Sequence, residues 1–298
     1  MRLSEKIISA LRNSFETALF FATMAVKENF RNYVAEAGAN DMNPSRRMAI
    51  LGNGPSLSAD LPRLIDARYW EQADILAVNF FAMGEEFSII KPKYYIVSDP
   101  VFFRKAGHSE RIDNLYAALR DKVTWPMTLY VQYYNPDNFD YAAAVGHNPN
   151  IRIVKFHSTL YRGFRNIEFW CYRRGLGAGN FGTVVQNGEF IAILLGYKTI
   201  EQFGVDHTML EGLMVNERNQ LGRRQTYYYD KEPAAPKPIY VNATTPPQPY
   251  TMHTFLAEMA ELFRGHEVMR DYAAEQGVRI INRTQGSMID AYEREPLQ

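Results

Sequence analysis

Seven short apolar runs, most of them separated by stretches long enough for a helix, set the strongest limit on what this chain can fold into. They cover residues 48–51, 74–78, 94–97, 128–132, 151–154, 199–205 and 278–281. Runs of this length, rich in Ile, Val, Leu and Tyr, read as buried strands. Strands that alternate with helical segments build βαβ units and a parallel sheet covered on both faces. Residues 184–195 read as a buried helix stopped by Gly196-Tyr197-Lys198, and residues 256–276 as another, closed by Gly277. The pattern predicts an α/β fold: a Rossmann-like parallel sheet with helices on both faces.

Two segments depart from that rhythm. In residues 1–37, Ile8, Leu11, Phe15, Ala18, Ala22 and Val26 recur every three or four positions, and Leu19, Phe20 and Phe21 widen the same face. That spacing predicts an N-terminal helical extension, ended by Gly38 and the polar run before Pro44. Its polar face is mixed in charge. Packing on the domain or on a second subunit is therefore favoured over contact with the inner membrane surface, which calls for a Lys/Arg-rich face. Residues 207–251 contain Pro233, Pro236, Pro238, Pro246, Pro247 and Pro249, together with Tyr227-Tyr228-Tyr229. Prolines at that density exclude regular structure, and a long irregular insertion in a compact domain reads as a lid. The expected organisation is an N-terminal helical extension over 1–46 and a Rossmann-like domain over 47–298, with its lid at about 207–251.

Composition narrows the partners. At 46% apolar residues the chain can bury a sizeable core, and 33 basic residues balance 33 acidic ones. Zero net charge argues against the nucleic-acid backbone as main partner. Cys171 is alone, so there is no intrachain disulfide and no thiolate-rich metal cluster, and a reducing compartment fits. Apolar runs never approach 18 residues, and Glu5, Lys6, Arg12, Asn13 and Glu16 break up what a signal peptide would keep apolar. The expectation is a cytoplasmic protein, with peripheral inner-membrane contact as the alternative role of residues 1–37.

In an open parallel sheet, ligands bind beyond the carboxyl ends of the strands. Asn53, Asn79, Asp99 and Asp206 follow four of the apolar runs. Any one of them is explained by the preference of Asn and Asp for loop starts; the set points to a site. The sharpest local motif is Gly52-Asn53-Gly54-Pro55-Ser56-Leu57. Gly52 and Gly54 permit a tight turn and close ligand approach, and Pro55 suits the start of a helix. The N–H groups of Ser56 and Leu57 would then face a phosphate, helped by the helix dipole. The motif is neither the dinucleotide fingerprint nor a P-loop: Leu57 stands where the third glycine would, and Gly-Lys-Ser/Thr is missing.

Gly52-Asn-Gly-Pro-Ser-Leu57 after the first strand resembles the bacterial sialyltransferases of glycosyltransferase family 42, and the related motility accessory factors and MptE-like pterin pyrophosphokinases. Val78-Asn79-Phe80-Phe81, Ser98-Asp99-Pro100 with Phe102-Phe103, Leu195-Gly196-Tyr197-Lys198 and Gly204-Val205-Asp206 are similar to successive motifs of the same group. The resemblance runs roughly from Met48 to Arg294, with 207–251 poorly matched. It implies a CMP-activated donor, an inverting displacement without metal, and no resident cofactor. It implies Gly52, Asn53, Gly54, Ser56, Asn79, Asp99, Thr183 and Asp206 as donor-binding positions, with lid tyrosines, Tyr228 and Tyr229 among them, on the leaving phosphate. Phe181 stands where the sialyltransferases carry Arg, so the sugar is not specified. Independently, the chain contains no Asp-x-Asp, which removes the usual Mn²⁺ site of diphosphate-sugar enzymes.

Transfer to a hydroxyl needs a base, and histidine titrates in the right range. Of six histidines, His253 lies after the lid and before the last long helix, the place of the base in the family; His207, after Asp206, is the runner-up. His266 sits mid-helix beside Arg264 and Glu267, where a solvated or packing role is expected; His108, His147 and His157 have no motif around them. The function so expected is transfer of a sialic-acid-like or other CMP-activated sugar to a surface-glycan acceptor. The alternatives are a pterin pyrophosphokinase using ATP and Mg²⁺, and a non-catalytic nucleotide-fold binding module.

Overall fold

The computed structural model describes residues 3–39, 42–104, 109–177, 182–224, 227–228, 235–241 and 248–295. Strands β1 (Arg47–Leu51), β2 (Asp74–Val78), β3 (Tyr94–Val97), β4 (Met127–Gln132), β5 (Ile151–Phe156) and β6 (Thr199–Phe203) belong to one sheet. It is completed by the last two strands of the chain, Arg279–Asn282 and Glu293–Arg294, which lie outside β6. All pairings within this sheet are parallel. The chain is therefore an α/β protein of Rossmann-like layout. From β1 it steps outward through β2, β3, β4 and β5, then returns to lay β6 against the other side of β1.

Strand alternation divides the core into two layers. Met48, Ile50, Leu76, Val78 and Ile96 point to one face, where Val184–Leu195 and Met252–Glu275 pack through Phe190, Ile191, Met269 and Tyr272. Ala49, Leu51, Ile75, Ala77 and Val97 point to the other, against Leu57 and Leu61 of the helix Leu57–Asp66 and Leu115 and Leu119 of the helix Glu110–Lys122. The helix Val184–Leu195 is buried on nearly every side, its polar Gln186, Asn187 and Glu189 included.

The N-terminal extension is two helices rather than one: α1 (Leu3–Lys27) and α2 (Tyr33–Ala37). Between them the Glu28 carboxylate turns inward to His157 Nδ1 at 2.9 Å and the Ser158 N–H at 3.2 Å, and the Asn32 side chain caps α2 by accepting from the Ala35 N–H. The face that docks α1 is also not the expected one. Phe20 and Met24 are buried with Tyr161, Cys171 and Leu176, while Ile8, Leu11, Phe15 and Val26 stand exposed.

The insertion at 207–251 has more order than its prolines suggested. It forms a three-stranded antiparallel sheet, Leu213–Val215, Leu221–Arg223 and Lys237–Pro238, and a two-stranded ribbon, Tyr240–Val241 with Gln248–Pro249. Pro238 and Pro249 are tolerated because each lies in an outer strand, where its missing N–H breaks no interior ladder. Leu221 fastens the sheet to Phe255, Met259 and Leu262 of the long C-terminal helix. Among the described residues, no helix is long and apolar enough to cross a membrane.

Candidate functional site

The fold brings the four polar strand-end residues side by side. Sheet order β6-β1-β2-β3 places Asp206, Asn53, Asn79 and Asp99 in that sequence along the carboxyl edge. The point where β1 and β6 diverge in connectivity is where such sheets hold ligands.

That crevice is filled by protein. The Gly52 N–H donates to the Phe203 carbonyl at 2.8 Å and the Gly54 N–H to the Gly204 carbonyl at 2.9 Å. A Cβ on Gly52 would stand 2.3 Å from the Gly204 oxygen, and one on Gly54 1.8 Å from Asp206 Oδ2. Both glycines are thus required by contact between two turns, whether or not a ligand also approaches them. The Asp206 carboxylate accepts from the Ser56 N–H at 3.2 Å and from Ser56 Oγ at 2.8 Å. The Leu57 N–H goes to the Gly54 carbonyl at 3.1 Å. The N–H groups expected to be open to phosphate are accordingly engaged, and a buried carboxyl occupies the anion position of this helix start. Burial pushes the Asp206 carboxyl above the ordinary aspartate range, and its two bonds to Ser56 pull it back.

Unsatisfied groups begin at the next strand end. Asn53 spends its amide nitrogen on the Val78 carbonyl at 2.9 Å, which leaves Oδ1 buried without a partner. Asn79 Oδ1 is likewise buried and unpartnered. The Asn79 backbone is held in the left-handed region at φ 48°, and its carbonyl accepts from the Tyr95 hydroxyl. At the end of β3, Asp99 caps a short turn by accepting from the Val101 N–H at 3.0 Å, and burial raises its carboxyl. Arg104, four residues past the turn's start at Pro100, has a buried Nε without a partner. A buried polar atom without a bond typically costs ~1–3 kcal/mol, so such atoms mark places where a ligand would be stabilising.

Tyr228 from the insertion reaches this edge. Its N–H donates to the Asn53 carbonyl at 3.3 Å, its hydroxyl to the Phe81 carbonyl at 3.2 Å, and its ring packs on Phe81 at 5.7 Å. Tyr227 stacks on Arg111, whose guanidinium also covers Phe80 at 4.2 Å. Tyr229 and His108 lie outside the described residues. Thr183 caps the helix Val184–Leu195, its hydroxyl accepting from the Val185 N–H at 3.4 Å.

The two candidate bases differ. His253 is exposed in the first turn of the C-terminal helix. His207, directly after Asp206, has a left-handed backbone at φ 53° and heads a buried chain. His207 Nε2 meets His266 Nε2 at 3.0 Å, His266 Nδ1 meets the Tyr292 hydroxyl at 3.0 Å, and that hydroxyl donates to Glu189 Oε2 at 2.8 Å. Gln202 closes the chain on Glu189 Oε1. The tautomers follow one from another. Because Tyr292 donates to Glu189, it accepts from His266 Nδ1–H; His266 Nε2 then accepts from His207 Nε2–H, and His207 Nδ1 keeps its lone pair. Burial holds the His207 ring neutral, its pKa lowered to about 4, and lowers His266 as well, with the neighbouring His207 adding to the effect. His266, expected at a solvated or packing position, is instead fully buried as the centre of a polar chain.

Arg104 and the Glu189–Tyr292–His266 chain were missed by sequence reasoning. Glu189 had a signal: it is the one charged residue in a helical run that reads as buried, and such a group must be paired or neutral. Among the described residues, no group of three or more His, Cys, Asp or Glu is arranged to hold a metal ion. A cavity of about 210 Å³, lined by Trp70, Asp74, Ile89 and Lys93 among others, opens at the opposite, amino edge of β2 and β3.

No model of a known protein family matches the chain, and no curated protein matches it. Among solved structures it is similar to the MAf glycosyltransferase from Magnetospirillum magneticum AMB-1, at 16% identity and a TM-score of 0.48. The likeness covers 87% of this chain and 34% of that one, so the chain spans about a third of that protein's length.

Proposed function

We propose that the chain is a glycosyltransferase that moves a sugar from a nucleotide-monophosphate donor to a hydroxyl acceptor. One observation carries the reading: two buried amide oxygens, Asn53 Oδ1 and Asn79 Oδ1, stand unpartnered at neighbouring strand ends. Acceptor atoms of this kind call for O–H and N–H donors, which the ribose hydroxyls and the base amino group of a nucleotide supply. The motifs resembling the sialyltransferases and motility accessory factors, with Asn53 and Asn79 at their centres, favour CMP as that nucleotide. Asp206 holds the helix start at Ser56 and would repel an anion there, so the donor phosphate is assigned to Arg104, past the turn that follows β3. The polyphosphate of ATP would compete with the same carboxylate, which disfavours pyrophosphate transfer.

In the reaction, the acceptor hydroxyl gives its proton to His207 Nδ1 as its oxygen bonds the sugar carbon. The bond from that carbon to the phosphate oxygen breaks, and the nucleoside monophosphate leaves. His266 fixes the tautomer that presents Nδ1 as the acceptor, and Tyr292 with Glu189 fixes His266 in turn. The test is a thermal-shift titration with CMP, CDP, UDP, GDP and ATP, each with and without Mg²⁺. CMP at a hundredfold over its dissociation constant should stabilise the fold by ~2.7 kcal/mol without metal. In a folded Asn53→Ala protein the CMP response should fall, because a hydrogen bond to the ligand is worth ~0.5–1.5 kcal/mol. A response to ATP with Mg²⁺ and none to CMP would replace the reading by pyrophosphate transfer. No response to any nucleotide would leave a binding module.

A further inference from the structure

Glu28 and His157 are buried titratable groups that no step of the proposed reaction uses. Their side chains are 0% and 1% exposed, and Glu28 Oε2 lies 2.9 Å from His157 Nδ1. The protons of the pair follow from its partners. His157 Nε2 faces the Arg31 carbonyl at 2.9 Å, and a carbonyl only accepts, so Nε2 carries a hydrogen. A second proton lies between Nδ1 and the carboxyl group, because two lone pairs would otherwise face each other. The stacked rings of Tyr33 and Tyr133 lie against the imidazole, with centroids at 5.8 and 5.4 Å. A buried pair of this kind adds little net stability over packed apolar groups. Phe20, Met24 and Val34 already fasten the extension by such packing. What the pair adds is direction: it fixes where the junction of α1 and α2 meets the end of β5.

From that junction a line of hydrogen bonds runs to the candidate site. The other Glu28 oxygen accepts from the Ser158 N–H at 3.2 Å, and Ser158 Oγ donates to Gln132 Oε1 at 3.2 Å. The Gln132 amide nitrogen donates to the Ser98 carbonyl, one residue beyond Val97, where the backbone pairing of β3 with β4 stops. The Gln132 side chain thus carries the ladder one step past its end. From the helix Val184–Leu195, Asn187 Nδ2 donates to Ser98 Oγ at 3.2 Å. Ser98 is therefore buried and pinned through both its carbonyl and its hydroxyl. The next residue is Asp99, whose carboxylate and carbonyl accept from the Val101 and Phe102 N–H groups of the turn that leads to Arg104. We propose that Glu28 and His157 are positioning residues: through Ser158 and Gln132, the N-terminal extension sets the turn that presents Asp99 and Arg104. His157 orients the Glu28 carboxylate, and the carboxylate orients Ser158. The assignment of Arg104 to the donor phosphate rests on the glycosyltransferase reading; the line of bonds to the turn does not.

Two substitutions cut this line and a third preserves it. Glu28→Met leaves the Ser158 N–H and the His157 Nδ1 without partners. Ser158→Ala removes only the bond to Gln132 at a half-buried position, and so tests the line even where Glu28→Met does not fold. In Glu28→Gln the amide oxygen keeps the Ser158 N–H and the amide N–H donates to Nδ1 of a neutral His157, so every bond survives. Hydrogen exchange on the ligand-free full chain reads the turn directly. The Val101–Arg104 amides should exchange roughly two- to tenfold faster in Glu28→Met and in Ser158→Ala, the equivalent of one lost hydrogen bond, and at the wild-type rate in Glu28→Gln. The double variant should be no faster than the faster single one, because both changes cut the same line. Unchanged exchange at the turn in the folded cut variants overturns the proposal. So does faster exchange spread evenly over the whole sheet, or a Glu28→Gln protein as fast as Ser158→Ala. CMP titration of the same proteins separates this inference from the donor reading. An affinity that falls roughly two- to tenfold in the cut variants and is kept in Glu28→Gln supports both. The expected exchange pattern with no CMP response in the wild type supports the positioning role and removes the nucleotide site.

Discussion

His207 and His253 differ in what surrounds their rings. A solvent-exposed imidazole is free to rotate and to exchange tautomers. His207 is tied through Nε2 to His266, so its remaining nitrogen is fixed as an acceptor. If it takes the acceptor proton, His207→Ala should lower turnover by ~10²–10⁴-fold while CMP still stabilises the protein. His253→Ala should leave turnover within severalfold of wild type. The reverse pattern would return the base to the first turn of the C-terminal helix. His266→Gln probes positioning separately. It should lower the maximal rate more than it changes the Michaelis constant, because His266 meets the base and not the substrate.

At the scale of elements, the turn after β1 and the turn after β6 are one packed unit. A methyl group on Gly52 would be driven into the Gly204 carbonyl, and neither backbone can yield without shifting a strand. Gly52→Ala should therefore cost ~1–3 kcal/mol in denaturant unfolding. Gly277→Ala is the comparison: φ is +62° but the space around it is open, so only backbone strain is paid, about 1 kcal/mol. Equal costs would mean that the two turns are not in contact. This pair also shows why the fold was largely legible in the sequence and the site only in part. Strand runs and terminators are local, so β1 to β6 and the polar residues after four strands could be read residue by residue. That Asp206 reaches across to Ser56 is a contact between positions 150 residues apart. Nothing local announces it, and the same Gly-Asn-Gly-Pro-Ser turn would serve an anion equally well without it. The antiparallel strands around Pro238 and Pro249 were hidden for a related reason: proline excludes an interior strand but not an outer one, and outer positions are assigned by tertiary pairing. In α1 the apolar periodicity was visible, but which face the body takes depends on Tyr161, Cys171 and Leu176, far along the chain.

For the whole molecule, the buried chain from His207 to Glu189 predicts how stability depends on pH. Burial raises the Glu189 carboxyl to about 8, while its bonds from Tyr292 and Gln202 pull it down only in part. An unfolded glutamate titrates near 4.3, so between there and about 8 the folded state holds a proton that the unfolded state has lost. Stability contributed by the neutral carboxyl is thus complete below that window and declines as pH rises through it, by ~1.4 kcal/mol per unit for one proton. The histidines act in the opposite sense. His207 stays neutral down to about 4 when folded but takes a proton near 6.5 when unfolded, so stability falls as pH drops from about 6.5 toward 4. His266, lowered for the same reason, adds to that loss. The two slopes oppose each other below about 6.5, and above it the Glu189 slope acts without them. The expected outcome is a midpoint of thermal unfolding that declines between pH 6.5 and 8, and the decisive variant is Glu189→Gln. Its side chain is neutral at every pH, and the buried Gln202 Oε1, unpartnered in the native chain, can accept from the new amide once the Gln202 amide turns end for end. Glu189→Gln should hence fold, lose the decline above pH 6.5, and keep the acid-side loss due to His207 and His266. A wild-type protein whose stability is flat from pH 6.5 to 8 would mean that Glu189 is ionised in the native state. The Tyr292–His266–His207 chain would then end on a carboxylate, which would favour protonation of His207 and give the base a higher pKa than burial alone allows.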